Sequence, residues 1–171
     1  MAVDDEATST ESVARAYFAA LAARDLDAMV APWEPGSPDV IHGVVEMRVP
    51  EDLRSWFGSL FAAFPDFTFE VLDIVSTGEK AAVRWHASGT FDGSTPFEGL
   101  LPNGAKLDLE GCDVLTVRGG RIVRNDAYMN GAEMARQLGA LPPAGSAPEK
   151  ALTAVLNLKT RLTEQLRKRR A

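Results

Sequence analysis

Cysteine is almost missing from this chain. Cys112 stands alone, which excludes an internal disulfide and any cluster of cysteine ligands around a metal. Histidine is scarce too, and His42 and His86 cannot by themselves build a typical zinc site. No apolar run approaches the ~18 residues that a bilayer-crossing helix requires. G-x-G-x-x-G, the P-loop, His-Glu-x-x-His and the nucleophile elbow are absent as well. Met-Ala-Val-Asp-Asp-Glu opens the chain with acids, not with a basic and then apolar signal segment, so a cytoplasmic protein is expected. These absences leave acid/base chemistry without metal or cofactor, or plain binding.

What is present suffices for a core. The 171 residues allow one domain and an appendage, and 46% hydrophobic with 25% charged residues is a globular balance. Charge is unevenly placed. From Ala147 onward seven Lys and Arg face only Glu149 and Glu164, a net of +5, so the total of −6 leaves −11 on the residues before. An acidic body argues against nucleic acid as the main ligand, and no membrane partner is expected. The basic end suits docking on the body of its own chain or of a neighbour.

Periodicity divides the chain into helices first and strands later. Thr8-Ser-Thr-Glu11 fits a capping box ahead of Val13, Tyr17, Ala20 and Leu21, and Asp25 caps a short helix through Leu26, Met29 and Val30. Three prolines and a glycine in 31–38 break regular structure, and Asp39 to Val45 reads as a short strand. Leu53, Trp56, Phe57, Leu60, Phe61 and Phe64 form an amphipathic helix that begins near Pro50 and stops at Pro65. Four long strands are expected at 67–76, 81–91, 106–118 and 121–128, with hairpins at 77–79 and at Gly119-Gly120. A helix from Asn130 to Leu138 follows. Residues 1–141 thus form the domain, 142–148 a Pro-rich linker, and 149–171 an amphipathic basic helix with its apolar stripe at Ala151, Val155, Leu158, Leu162 and Leu166.

This order predicts an α+β fold, with helices across one face of a curled antiparallel sheet. Strict alternation puts Ala81, Val83, Trp85 and Ala87 on one face of their strand and Ala82, Arg84, His86 and Ser88 on the other. It likewise groups Ile122, Arg124, Asp126 and Tyr128. Alternation alone leaves open whether Arg84 and His86 meet solvent or the concave face. On the concave face they would line a covered cavity, where a carboxylate is desolvated and becomes a candidate general acid/base. Phe57, Phe61 and Phe64 read as packing, and Cys112 as a small buried side chain with no base assigned to it.

The order of motifs resembles the SnoaL-like branch of the NTF2-like superfamily, over about residues 10–141. Gly78 to Thr90 (Gly-Glu-Lys-Ala-Ala-Val-Arg-Trp-His-Ala-Ser-Gly-Thr) is similar to the second long strand of SnoaL-like cyclases. Gly120 to Asn130, continuing through Gln137-Leu-Gly139, is similar to their last strand and closing helix. The resemblance implies a cone-shaped domain around one deep pocket, a small hydrophobic ligand and a homodimer through the outer sheet face, for which Trp85 and Val83 are suited. It implies a cyclase or isomerase acting on a hydrophobic carbonyl compound by aldol-type ring closure or enolisation, without cofactor. Asp126, the one acid on the last strand, inherits the proton-moving role; His86 and Arg84 set its pKa or hold the enolate oxygen, and His42 assists. Tyr17, Trp56, Tyr128 and Asn130 are the further pocket candidates, Asn130 standing where many relatives carry Asp. Two other readings belong to the same fold: an epoxide hydrolase with an Asp–Arg–Asp group, and a non-catalytic binder of small molecules.

Overall fold

Ser9 opens the first helix in the computed structural model, which describes residues 9–170 and, in the last helix, leaves the side chains at 166 and 168–170 undescribed. Its hydroxyl accepts from the Ser12 amide at 3.1 Å, the Ncap arrangement. Thr8, expected in that place, lies outside the described residues. Helix α1 (Thr10–Ala22) then buries Val13, Ala14, Tyr17, Phe18 and Leu21 along one side. Asp25 caps α2 (Leu26–Val30) by accepting from the amides of Asp27 and Ala28, as its position suggests. After the proline-rich break come β1 (Pro38–Ile41) and β2 (Val45–Arg48), an antiparallel pair where one strand was expected. Gly43, at φ +79, makes the reversal that a side chain would strain. Helix α3 (Glu51–Ala63) follows Pro50 and turns Leu53, Phe57, Leu60 and Ala63 inward.

Four long strands complete the sheet: β3 (Thr68–Thr77), β4 (Lys80–Phe91), β5 (Ala105–Arg118) and β6 (Arg121–Met129). Their order is β2-β1-β6-β5-β4-β3, with β1 parallel to β6 and every other pair antiparallel. The sheet is curved and open, and its inner face packs with α1 and α3 into one hydrophobic core. Ala81, Val83, Trp85 and Ala87 belong to that inner face. Trp85 and Val83 are therefore core residues and not the outer interface expected of them. Each large side chain buried this fully stabilises the fold by about 1.5–3 kcal/mol.

Two irregularities in the ladders decide where side chains point. One lies between Val71 and Asp73 on β3. In the other, Thr116 pairs with Arg124 while Val117 pairs with Ile122, so Val123 is the extra residue of a bulge. Helix α4 (Gly131–Gln137) is capped by Asn130, whose Oδ1 accepts from the Glu133 amide at 3.1 Å. Gln137 fixes α4 to the sheet: its Nε2 donates to Asp108 O at 2.8 Å and its Oε1 accepts from Asp108 N at 2.9 Å.

Helix α5 (Ala147–Arg170) begins two residues before the expected 149. Within the single chain its stripe is open, Val155 being 63% exposed, Leu158 57% and Leu162 51%, because α5 leaves the domain after its first turn. Among the described residues no helix is long and apolar enough to cross a membrane.

Candidate active site

Between α1, α3, α4 and the inner sheet face lies a cavity with about 680 Å³ of atom-free space, the solvent at its mouth included. Ile41, Phe57, Leu60, Phe69, Leu107 and Met134 are typical of its walls. Polar groups gather at Tyr17, Asp39, Trp85, Asp113 and Asn125. Among the described residues that line the cavity there is no Lys, Arg or His.

The sheet brings four of these together, and α1 adds Tyr17. Parallel pairing sets Asp39 of β1 beside Asn125 of β6, and Asp113 follows on β5. Asn125 Nδ2 donates to Asp39 Oδ1 at 2.9 Å and to Asp113 Oδ2 at 2.7 Å, so one amide bridges two carboxylates. Tyr17 donates its hydroxyl to Asp39 Oδ2 at 3.2 Å, and Trp85 donates Nε1–H to Asp113 Oδ1 at 2.7 Å. Asp39 and Asn125 are each 1% exposed and Asp113 6%. Asn125 Oδ1 has no donor among the described protein groups, which leaves an acceptor at a cavity wall.

Burial governs the electrostatics. It pushes Asp113 up from 3.8 to about 6, against the pull of the Trp85 and Asn125 hydrogen bonds. Asp39 rises from 3.8 to about 7, first through burial and then through the neighbouring Asp113 charge. The Tyr17 hydroxyl is raised well above its usual range by burial and by both carboxylates. A pair held in this way exchanges a proton near neutrality, as an acid/base group must.

Of the residues expected in the pocket, Tyr17 and Trp56 line it, and Trp56 donates Nε1–H to Glu98 Oε1 at 2.9 Å. Asp126, His86 and Arg84 do not share the cavity; they lie on the outer face of the sheet. There Asp126 accepts from Arg124 Nε at 2.7 Å and Nη2 at 2.6 Å, and His42 Nε2 stands 2.9 Å from its Oδ1. Arg124, more than His42, holds the Asp126 carboxyl down at about 2. His42 stacks on Tyr128, ring centroids 4.5 Å apart, and Tyr128 is 51% exposed. His86 Nε2 meets Asp108 Oδ1 at 2.8 Å, Arg84 is exposed, and the Asn130 side chain caps α4. Cys112 is half-buried on that outer face too.

The bulge explains the difference. Strict alternation places Asp126 with buried Ile122, but the extra residue Val123 reverses the phase and turns Asn125 and Ala127 inward instead. Asp39, Asp113 and Asn125 were missed. Two of them carry a sequence signal: Asp113 continues the apolar series Leu107, Leu109 and Leu115, and Asp39 shares a face with Ile41. An acid on an apolar face is the informative case.

Residues 14–125 match the SnoaL-like domain family, and the chain belongs to it. No curated protein matches the sequence. Among solved structures the chain resembles AclR, a candidate hydroxylase from Streptomyces galilaeus, with TM-score 0.67 and 23% identity over 91% of this chain and 95% of that one. It also resembles a candidate SnoaL-like polyketide cyclase from Jannaschia sp. CCS1, with TM-score 0.69 and 20% identity over 78% and 93%. IdmH, a candidate polyketide cyclase from Streptomyces antibioticus, gives TM-score 0.63 and 27% identity over 76% and 98%. The NTF2-like fold is thereby established, and with it a family that contains polyketide cyclases.

Proposed function

We propose that this protein is a general acid/base enzyme that enolises a neutral, apolar carbonyl compound and closes a ring in it. The observation that carries the reading is the Asp39–Asn125–Asp113 bridge set in an otherwise apolar cavity. Asp113 ionises first, and its charge helps hold the next proton on Asp39 up to about pH 7. Ionised Asp39 takes the α-proton of the bound carbonyl compound. The enolate carbon attacks a second carbonyl of the same molecule, and the alkoxide formed recovers the proton from Asp39. Atoms balance without a co-reactant. Tyr17, whose hydrogen bond to Asp39 is long at 3.2 Å, is the donor suited to the enolate oxygen.

Cavity chemistry also favours this reading over its rivals. An Asp–Arg–Asp group for epoxide hydrolysis needs a guanidinium between its acids, and here the bridging residue is Asn125. A lining without Lys, Arg or His suits an uncharged ligand. The test is α-hydrogen exchange in D2O, followed by NMR against an enzyme-free control, across a panel of neutral, apolar 1,5-diketones, which can close a six-membered ring. Enzyme-dependent deuteration at one α-carbon supports the proposal. Tight binding of the same compounds without any exchange would make the protein a binder instead.

A further inference from the structure

Helix α5 poses the largest unanswered question in the molecule. Its 24 residues run about 36 Å at 1.5 Å per residue, and from Lys150 to Gln165 every side chain is exposed. Leu152, Val155, Leu156, Leu158 and Leu162 are each more than two-fifths exposed. A helix without tertiary support is marginal in water, so a stripe like this is stable when something covers it.

The cover does not come from the described residues of the same chain. Glu149 accepts from the Gly145 amide at 2.6 Å and pairs with Arg136 Nη2 at 3.1 Å, which ties the first turn of α5 to α4 and sets its course off the domain. Pairing of α5 with another α5 is opposed by charge. From Lys150 to Arg167 the helix carries Lys150, Lys159, Arg161 and Arg167 against Glu164 alone, so two such helices repel each other. The stripe therefore calls for a surface with apolar side chains beside unpaired acids.

The outer face of the sheet is such a surface. Leu72 is 37% exposed there, Val75 64% and Tyr128 51%. Glu70, Asp73 and Glu110 are exposed on the same side and enter none of the ion pairs among the described residues. The wider balance agrees, since 147–171 carries +5 and the rest of the chain −11. We infer that α5 is a dimerisation arm: each copy lays its apolar stripe across the outer sheet face of a second copy, with Lys159 and Arg161 against Glu70, Asp73 and Glu110. Reciprocal exchange of two arms closes a twofold dimer and leaves both cavities intact.

Sedimentation velocity of the full chain over a protein dilution series tests this, on the native protein and on two sets of surface variants. Leu158→Asp/Leu162→Asp alters the arm, and Glu70→Lys/Glu110→Lys alters the face; all four positions are exposed, so folding is preserved, and circular dichroism checks it. The native protein is expected to be a dimer that 0.5 M salt weakens, and each variant pair should raise the dimer Kd at least tenfold. A monomeric native chain overturns the proposal, and so does a dimer that ignores the arm variants. A dimer lost with the arm variants but untouched by the face variants overturns the assigned surface. Vesicles containing phosphatidylserine form the control: a chain that stays monomeric and sediments with them has a membrane arm, not a dimer arm.

Discussion

Trp85 lies so close over Gly111 that a β-carbon there would stand 2.2 Å from Cζ2 of the indole. The two are paired across β4 and β5, and the missing side chain lets Trp85 Nε1 reach Asp113 two residues along. Gly111→Ala must push the indole away or bend the strand. Overpacking of this kind costs about 1–3 kcal/mol. The expected outcome is a lower Tm by thermal melting together with a loss of turnover larger than the loss of ligand affinity, because Asp113 loses its indole donor. A variant with native Tm and native turnover would remove Trp85 from the account.

Asp113 raises Asp39 through its charge, so Asp113→Asn should make Asp39 easier to ionise. Under the proposed chemistry, the kcat/KM profile of the native protein is expected to rise with pH as Asp39 ionises near 7. In Asp113→Asn that limb should move to lower pH. An unmoved limb would mean that the two carboxylates do not act on each other.

Stability should respond to pH in the opposite direction. Asp39 binds its proton more tightly in the fold (about 7) than free (3.8), so the stability linked to that proton is complete below about pH 4. It is lost as pH rises through 7. Asp39→Asn cannot ionise and escapes the loss. Thermal melts should show the variant equal to the native protein near pH 4 and a few degrees more stable at pH 8, by about 2–8 °C per kcal/mol recovered. Asp126 has the other sign: held at about 2, mainly by Arg124, it contributes stability above about pH 4 that is lost as pH falls through 2.

Much of the architecture was legible in the sequence because its signals are local. The amphipathic spacing of Leu53 to Phe64, the Asp25 cap and the Gly119-Gly120 turn each specify their element without reference to the rest. Tyr17 and Trp56 were legible for the same reason, being inward positions of regular helices. The buried carboxylate–amide cluster was not. Asn125 faces the cavity because of one extra residue at Val123, and a bulge depends on how β5 and β6 pair. Asp39 gains its meaning from a parallel pairing with β6, 86 residues away. Asp113 was readable in principle, as the one acid in an apolar series.

The most direct test compares Asp39→Asn with Asp126→Asn in single-turnover kinetics on a neutral diketone that the native enzyme converts. Both changes are nearly isosteric, and one carboxylate lies in the cavity while the other lies on the outer face. Loss of a positioned acid/base costs about 10²–10⁴ in rate. That loss is expected for Asp39→Asn with ligand affinity kept, and a change of less than about threefold for Asp126→Asn, which should alter only a surface ion pair. Full activity in Asp39→Asn, with the large loss in Asp126→Asn, would contradict it and put the chemistry on the outer face.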